Sequence, residues 1–103
     1  MIDAFLDKKY NKGTYNCGHF ASELWFSLTG QRKYQLADQT VNSSVQSLER
    51  LEQPENPCIV FMRNGDLHAG VFIDSLVYHL LPNGVESNSL EILSQTYSLS
   101  FYK

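Results

Sequence analysis

Apolar residues recur at helical spacing in the first half of the chain and in short strand-length runs in the second. Phe20, Ala21, Leu24, Trp25 and Leu28 form one stripe, Glu23 is the only charge among them, and Gly30 follows, which predicts a helix with one core-facing side. Ile2, Phe5 and Leu6 predict a shorter first helix that stops before the turn-prone Asn11, Lys12 and Gly13. Val41, Val45, Leu48 and Leu51 mark a further helix, terminated by Pro54 and Pro57. Beyond Pro57 the period changes. Apolar runs over 58–62, 67–73 and 76–81 are separated by Asn64-Gly65 and Asp74-Ser75, and Asn83-Gly84 marks another turn, so a meander of antiparallel strands is expected. Residues 97–102 alternate well enough to add a last strand, whereas 90–95 fits helix or strand equally.

Helices first and a sheet afterwards define an α+β layout. With 103 residues and 43% hydrophobic content, the chain has material for one core, so a single domain over 1–103 is expected. The formal charge of −3 and the lack of any basic stripe argue against a nucleic-acid partner. Charged residues interrupt the first ten positions and no later run has the length of a membrane span. The chain is therefore expected to be soluble, made in the cytoplasm without a signal peptide and without a membrane partner. Two cysteines make no disulfide framework, and three histidines at irregular spacing match no zinc template, so neither metal nor cofactor is expected.

Candidate chemistry begins at Tyr15-Asn16-Cys17-Gly18-His19-Phe20, which places a thiol on the first turn of the predicted helix. Free backbone N–H groups and the positive end of the helix dipole favour a thiolate there, making Cys17 a candidate nucleophile. Counting outward from a two-residue turn at Asp74-Ser75 pairs Ile73 with Leu76, Gly70 with His79 and His68 with Leu81. His68 and His79 then share a sheet face as diagonal neighbours, roughly 7–8 Å apart at the backbone, and Gly70 leaves room for a ring. The same count at Asn64-Gly65 pairs Phe61 with His68 and Cys58 with Val71, which puts Cys58 on the other face and marks it as structural. A thiol, a base in His68 and an orienting group in His79 make up the parts of a cysteine hydrolase. His19 lies two residues past Cys17, about 160° around the helix, and reads as a surface or packing residue.

At these residues the chain resembles the NlpC-type papain-like cysteine peptidases of bacterial cell-wall turnover. Tyr10 and Gly13 resemble the family's loop, Cys17 its nucleophile, His68 its base, His79 its third residue, and Gly84-Val85 the close of the motif. Asn16 replaces the usual Asp, and Gly18-His19 replaces Ser-Gly. The resemblance implies N-terminal helices packed on an antiparallel meander and hydrolysis of peptide amides in peptidoglycan stem peptides. It also implies a Cys17–His68–His79 triad, with the Tyr10 hydroxyl assisting at the oxyanion. Peptidoglycan lies outside the cytoplasmic membrane, so carriage by phage-tail or secretion-apparatus proteins, to the periplasm or within a virion, would reconcile substrate and origin.

Two other readings compete. Asn16-Cys17-Gly18-His19-Phe20 also resembles the Asn-Cys-x-His-Phe motif of lecithin:retinol acyltransferase-like thiol acyltransferases, although in that branch the histidine strand precedes the cysteine helix. A non-catalytic structural or interaction domain that keeps the fold and an idle triad is the alternative outside enzymes.

Overall fold

The computed structural model describes residues 2–11, 15–31 and 48–103. The chain opens with a short 3-10 helix, Ile2–Phe5, in the stretch where the first helix is expected. Helix α1, Cys17–Thr29, follows the predicted stripe, burying Phe20, Ala21, Leu24 and Trp25. It ends at Gly30, whose φ of 76° lets its N–H close onto the Phe26 carbonyl. Among the described residues no helix is long and apolar enough to cross a membrane.

Six strands follow: β1 (Arg50–Leu51), β2 (Cys58–Asn64), β3 (Asp66–Ile73), β4 (Leu76–Leu81), β5 (Gly84–Asn88) and β6 (Ser98–Tyr102). A second helix, α2 (Leu90–Ser94), precedes the last of them. It resolves the ambiguous stretch: Ser89 caps it by accepting from the Ile92 N–H, and Leu93 is buried. The strands form one antiparallel sheet in the order β1-β6-β2-β3-β4-β5. The last strand thus returns beside β2 instead of extending the meander at β5.

The two sheet faces carry separate cores. On one, α1 packs Phe20, Ala21, Leu24 and Trp25 against Ile59, Phe61, Ala69, Val71, Leu80 and Tyr102. On the other, α2 contributes Leu93 to a cluster with Leu51, Cys58, Val60, Met62 and Val77.

Two expectations are corrected here. Of the helix marked by Val41, Val45, Leu48 and Leu51, residues 41–47 lie outside the described residues, and its end is a strand. Arg50 and Leu51 pair with Tyr102 and Phe101, and Glu49 exchanges backbone hydrogen bonds with Lys103 at 2.9 and 3.0 Å. Extended backbone there satisfies the outer edge of β6. It also sends Leu48 to the α1 core and Leu51 to the α2 core, which one helical stripe could not do.

The second correction concerns the β2–β3 hairpin. Asn64 pairs with Asp66, leaving only Gly65 at the tip with φ of 78°. The register therefore shifts by one: Met62, not Phe61, faces His68, and Cys58 faces Phe72. Cys58 lies on the histidine side of the sheet. Residues 58–62 are buried on both faces, so their apolar pattern holds no register information and the turn alone decides it.

Candidate active site

The β3–β4 hairpin sets the register of the histidines. Asp74 and Ser75, with φ of 48° and 79°, form the two-residue turn, and the ladder pairs Ile73 with Leu76 and Val71 with Tyr78. Asn56 clamps the turn from the loop before β2, donating to Asp74 Oδ1 at 2.8 Å and accepting from the Asp74 N–H at 3.0 Å. Continuing this register puts His68 and His79 on one face as diagonal neighbours. Their rings meet: His68 Nε2 lies 2.8 Å from His79 Nδ1, with the ring planes at 77°.

The space over Gly70 is not left to a ring. A Cβ there would stand 2.9 Å from Val77 Cγ1 and 3.0 Å from both Met62 Cε and the Tyr78 carbonyl oxygen, so these groups already fill it.

His79 is 2% exposed and bonds at its other nitrogen to Asn88 Oδ1, 2.8 Å away. Asn88 pairs with Val77 and Glu86 with His79, so Asn88 is the diagonal neighbour of His79 on the same face. Asn88 lies outside the residues that carry the family resemblance. A parity count through the Pro82-Asn83 turn, where Leu81 pairs with Gly84, would have found it. His68 stacks on Tyr97, with centroids 6.5 Å apart and planes at 24°. Burial first, and the neighbouring His79 second, hold its imidazole below the ordinary value of 6.5, at about 4.

Cys17 is the first residue of α1, and its preceding residue is the cap. The Asn16 side-chain oxygen accepts from the N–H groups of Gly18 and His19 at 3.0 and 3.2 Å. In return His19 Nδ1 accepts from the Asn16 N–H at 3.3 Å. This is a capping box with histidine in the place usual for Glu or Gln. His19, expected as a surface or packing residue, is thus a half-buried cap, stacked on Tyr15 at 6.2 Å. The Tyr15 hydroxyl donates to Glu23 at 2.6 Å.

The Cys17 thiol is half-buried. Burial pushes it up from its ordinary value, while the backbone N–H groups of Ala69, Gly18 and Cys17 pull it down without cancelling the burial. The lowered thiol expected from the helix start is therefore corrected: desolvation outweighs the helix terminus. Cys58, 0% exposed, is also pushed up by burial.

The N–H of Ala69 faces the end of the β3–β4 ladder. In a two-residue hairpin the closing pair exchanges both hydrogen bonds, as does every second pair after it. The N–H groups of Ile73, Val71 and Ala69 thus point toward β4. The β3–β4 ladder ends at Val71–Tyr78, short of Ala69, whose N–H is among the backbone groups that pull the Cys17 thiol down. The histidine pair bridges the same two strands, on the face turned away from α1.

Helix α1 itself packs on the face of Ala69, Val71 and Leu80, which alternate with His68 and His79. Among the described residues no hydrogen bond joins the sulfur to either ring. The structure therefore unites His68, His79 and Asn88, and the helix that Cys17 opens packs on the other face of the sheet. Tyr10 packs partly buried against the α1 core, and its hydroxyl makes no hydrogen bond among the described residues. No cluster of three His, Cys, Asp or Glu among the described residues is placed to hold a metal ion. Compared with known proteins, no family model matches the chain and no curated protein matches its sequence.

Proposed function

We propose that the chain is a cysteine hydrolase of the NlpC-type papain-like class, acting on peptide amides of peptidoglycan stem peptides. The observation that carries this reading is the His68–His79 hydrogen bond, continued from His79 to Asn88, on the sheet against which the cysteine helix packs. The element order agrees with it, since the cysteine opens a helix packed on an antiparallel sheet and the histidines come from that sheet, from its other face.

The resting pair is a neutral thiol and a neutral imidazole, because burial disfavours both charges. Proton transfer then accompanies attack and does not precede it. Cys17 Sγ bonds to the substrate carbonyl carbon as its proton passes to His68, and the tetrahedral oxyanion forms beside the N–H of Cys17. Collapse breaks the C–N bond, and the leaving nitrogen takes the proton back from His68. Water then attacks the thioester, with His68 as base again, and releases the acid and the thiol. His79 holds the ring of His68 throughout. For this step the sulfur, carried by α1, and the His68 ring, on the sheet face turned away from α1, must come together when substrate binds.

The missing bond between sulfur and ring also favours a second reading, an interaction domain with an idle triad. One experiment separates the two. Purified protein incubated with peptidoglycan should release stem-peptide fragments, and Cys17→Ala and His68→Ala should each abolish release while remaining folded by circular dichroism. His79→Ala should retain a residue of activity, because His79 forms no bond to substrate. A wild type that cleaves no muropeptide, other amide or ester would leave the interaction domain standing.

A further inference from the structure

His68, His79 and Asn88 form a chain of two hydrogen bonds whose direction is set at the Asn88 end. The side-chain oxygen of Asn88 has no proton to give, so His79 Nε2, 2.8 Å away, carries one and donates it. A neutral imidazole protonated at Nε2 has its lone pair at Nδ1. His79 Nδ1 therefore accepts, and His68 Nε2, 2.8 Å away, donates. The lone pair of His68 is left at Nδ1, outside the chain.

The reversed amide would reverse every bond. Asn88 Nδ2 would donate to His79 Nε2, the proton of His79 would sit on Nδ1 and point at His68 Nε2, and His68 would carry its own proton on Nδ1. It would then have no lone pair to offer a thiol. The orientation of one amide thus decides whether His68 can act as a base.

We propose that Asn88 is a positioning residue whose side-chain carbonyl holds His79, and through it His68, in the Nε2–H tautomer, making His68 Nδ1 the basic atom. This rests on the reading of His68 as the base of the proposed hydrolase. Asn88 is well held for the task. Its backbone closes the β4–β5 ladder opposite Val77, and the next residue, Ser89, caps α2. His79, 2% exposed, has no solvent competing for its nitrogens. When His68 takes a proton at Nδ1, its Nε2–H still points at a lone pair on His79, so the new charge meets an acceptor and not a second proton.

The test is long-range 1H–15N correlation spectroscopy of protein labelled with 15N-histidine, recorded at pH 8 on the wild type, Asn88→Asp and Asn88→Leu. The wild type should show Nε2 protonated and Nδ1 bare on both His68 and His79. Asn88→Asp should keep that pattern, since a carboxylate only accepts. Asn88→Leu should shift His79 and His68 toward mixed tautomers. A proton on Nδ1 of either ring in the wild type overturns the proposal, as does an Asn88→Leu spectrum identical to the wild type. Should Asn88→Leu fail to fold, the wild-type and Asn88→Asp spectra decide. These spectra need no turnover, so a protein inactive on peptidoglycan that still shows the Nε2–H pattern counts against the hydrolase and not against the direction set by Asn88.

Discussion

The imidazole of His68 lies stacked on the ring of Tyr97, at 6.5 Å between centroids, while its Nε2 is bonded to His79. Burial takes the ring out of water, which disfavours its positive charge, and the neighbouring His79 adds to this.

That setting makes stability depend on pH. The folded state holds His68 at about 4, below the ordinary 6.5, so between these values the unfolded chain binds a proton that the folded chain refuses. The contribution is full above pH 6.5, declines as pH falls toward 4, and levels off below, amounting to ~3 kcal/mol. Urea unfolding at pH 7 and pH 4.5 should show this loss in the wild type and a smaller one in His68→Gln. Equal losses in the two proteins would mean that His68 does not bear the burial penalty.

Thiol labelling tests the surroundings of the two cysteines. Both are pushed up by burial, so iodoacetamide should react slowly with the folded protein at mildly acidic pH and faster as pH rises past 9. Cys17 is half-buried and Cys58 is 0% exposed, so Cys17 should be modified first at every pH. Mass-spectrometric rates for each site check both statements. Fast acidic labelling of Cys17 would show that helix-terminus stabilisation outweighs burial.

The sequence holds as much of this site as its turns hold of register. The Asp74-Ser75 turn has two residues, and parity alone then unites His68 with His79. The Asn64-Gly65 turn reads the same way but leaves only Gly65 unpaired, and β2, apolar on both faces, offers no second signal to correct the count. Arg50 and Leu51 become a strand because of Tyr102 and Phe101, half the chain away, which no local period reveals. The helix-start position of Cys17 is legible locally. Its desolvation depends on packing against β3 and is not.

Gly70 provides a mechanical test of the contact between β3 and β4. Its substitution by alanine puts a methyl 2.9 Å from Val77 Cγ1 and 3.0 Å from the Tyr78 carbonyl oxygen. Met62 Cε, also at 3.0 Å, can swing away, but a β-branched side chain and a backbone carbonyl cannot. Gly70→Ala should therefore cost about 1–3 kcal/mol, read as a lower denaturant midpoint. It should also loosen the histidine pair, visible as broadened His68 and His79 ring signals. An unchanged midpoint would mean that the two strands separate freely at this point.

The cap of α1 separates helix stability from thiol chemistry. Asn16 accepts from Gly18 and His19, so Asn16→Ala leaves two N–H groups at the helix start unpaired and should cost about 1 kcal/mol. Asn16→Asp keeps an acceptor in the same place and suits the helix dipole, so its denaturant midpoint should match or exceed the wild type. The same carboxylate adds a negative charge next to Cys17, which raises the thiol further and should slow its alkylation at a fixed pH between 8 and 9. Stability and reactivity then move apart in one variant. If Asn16→Asp instead reacts as fast as the wild type while remaining folded, the charge at the cap does not reach the sulfur.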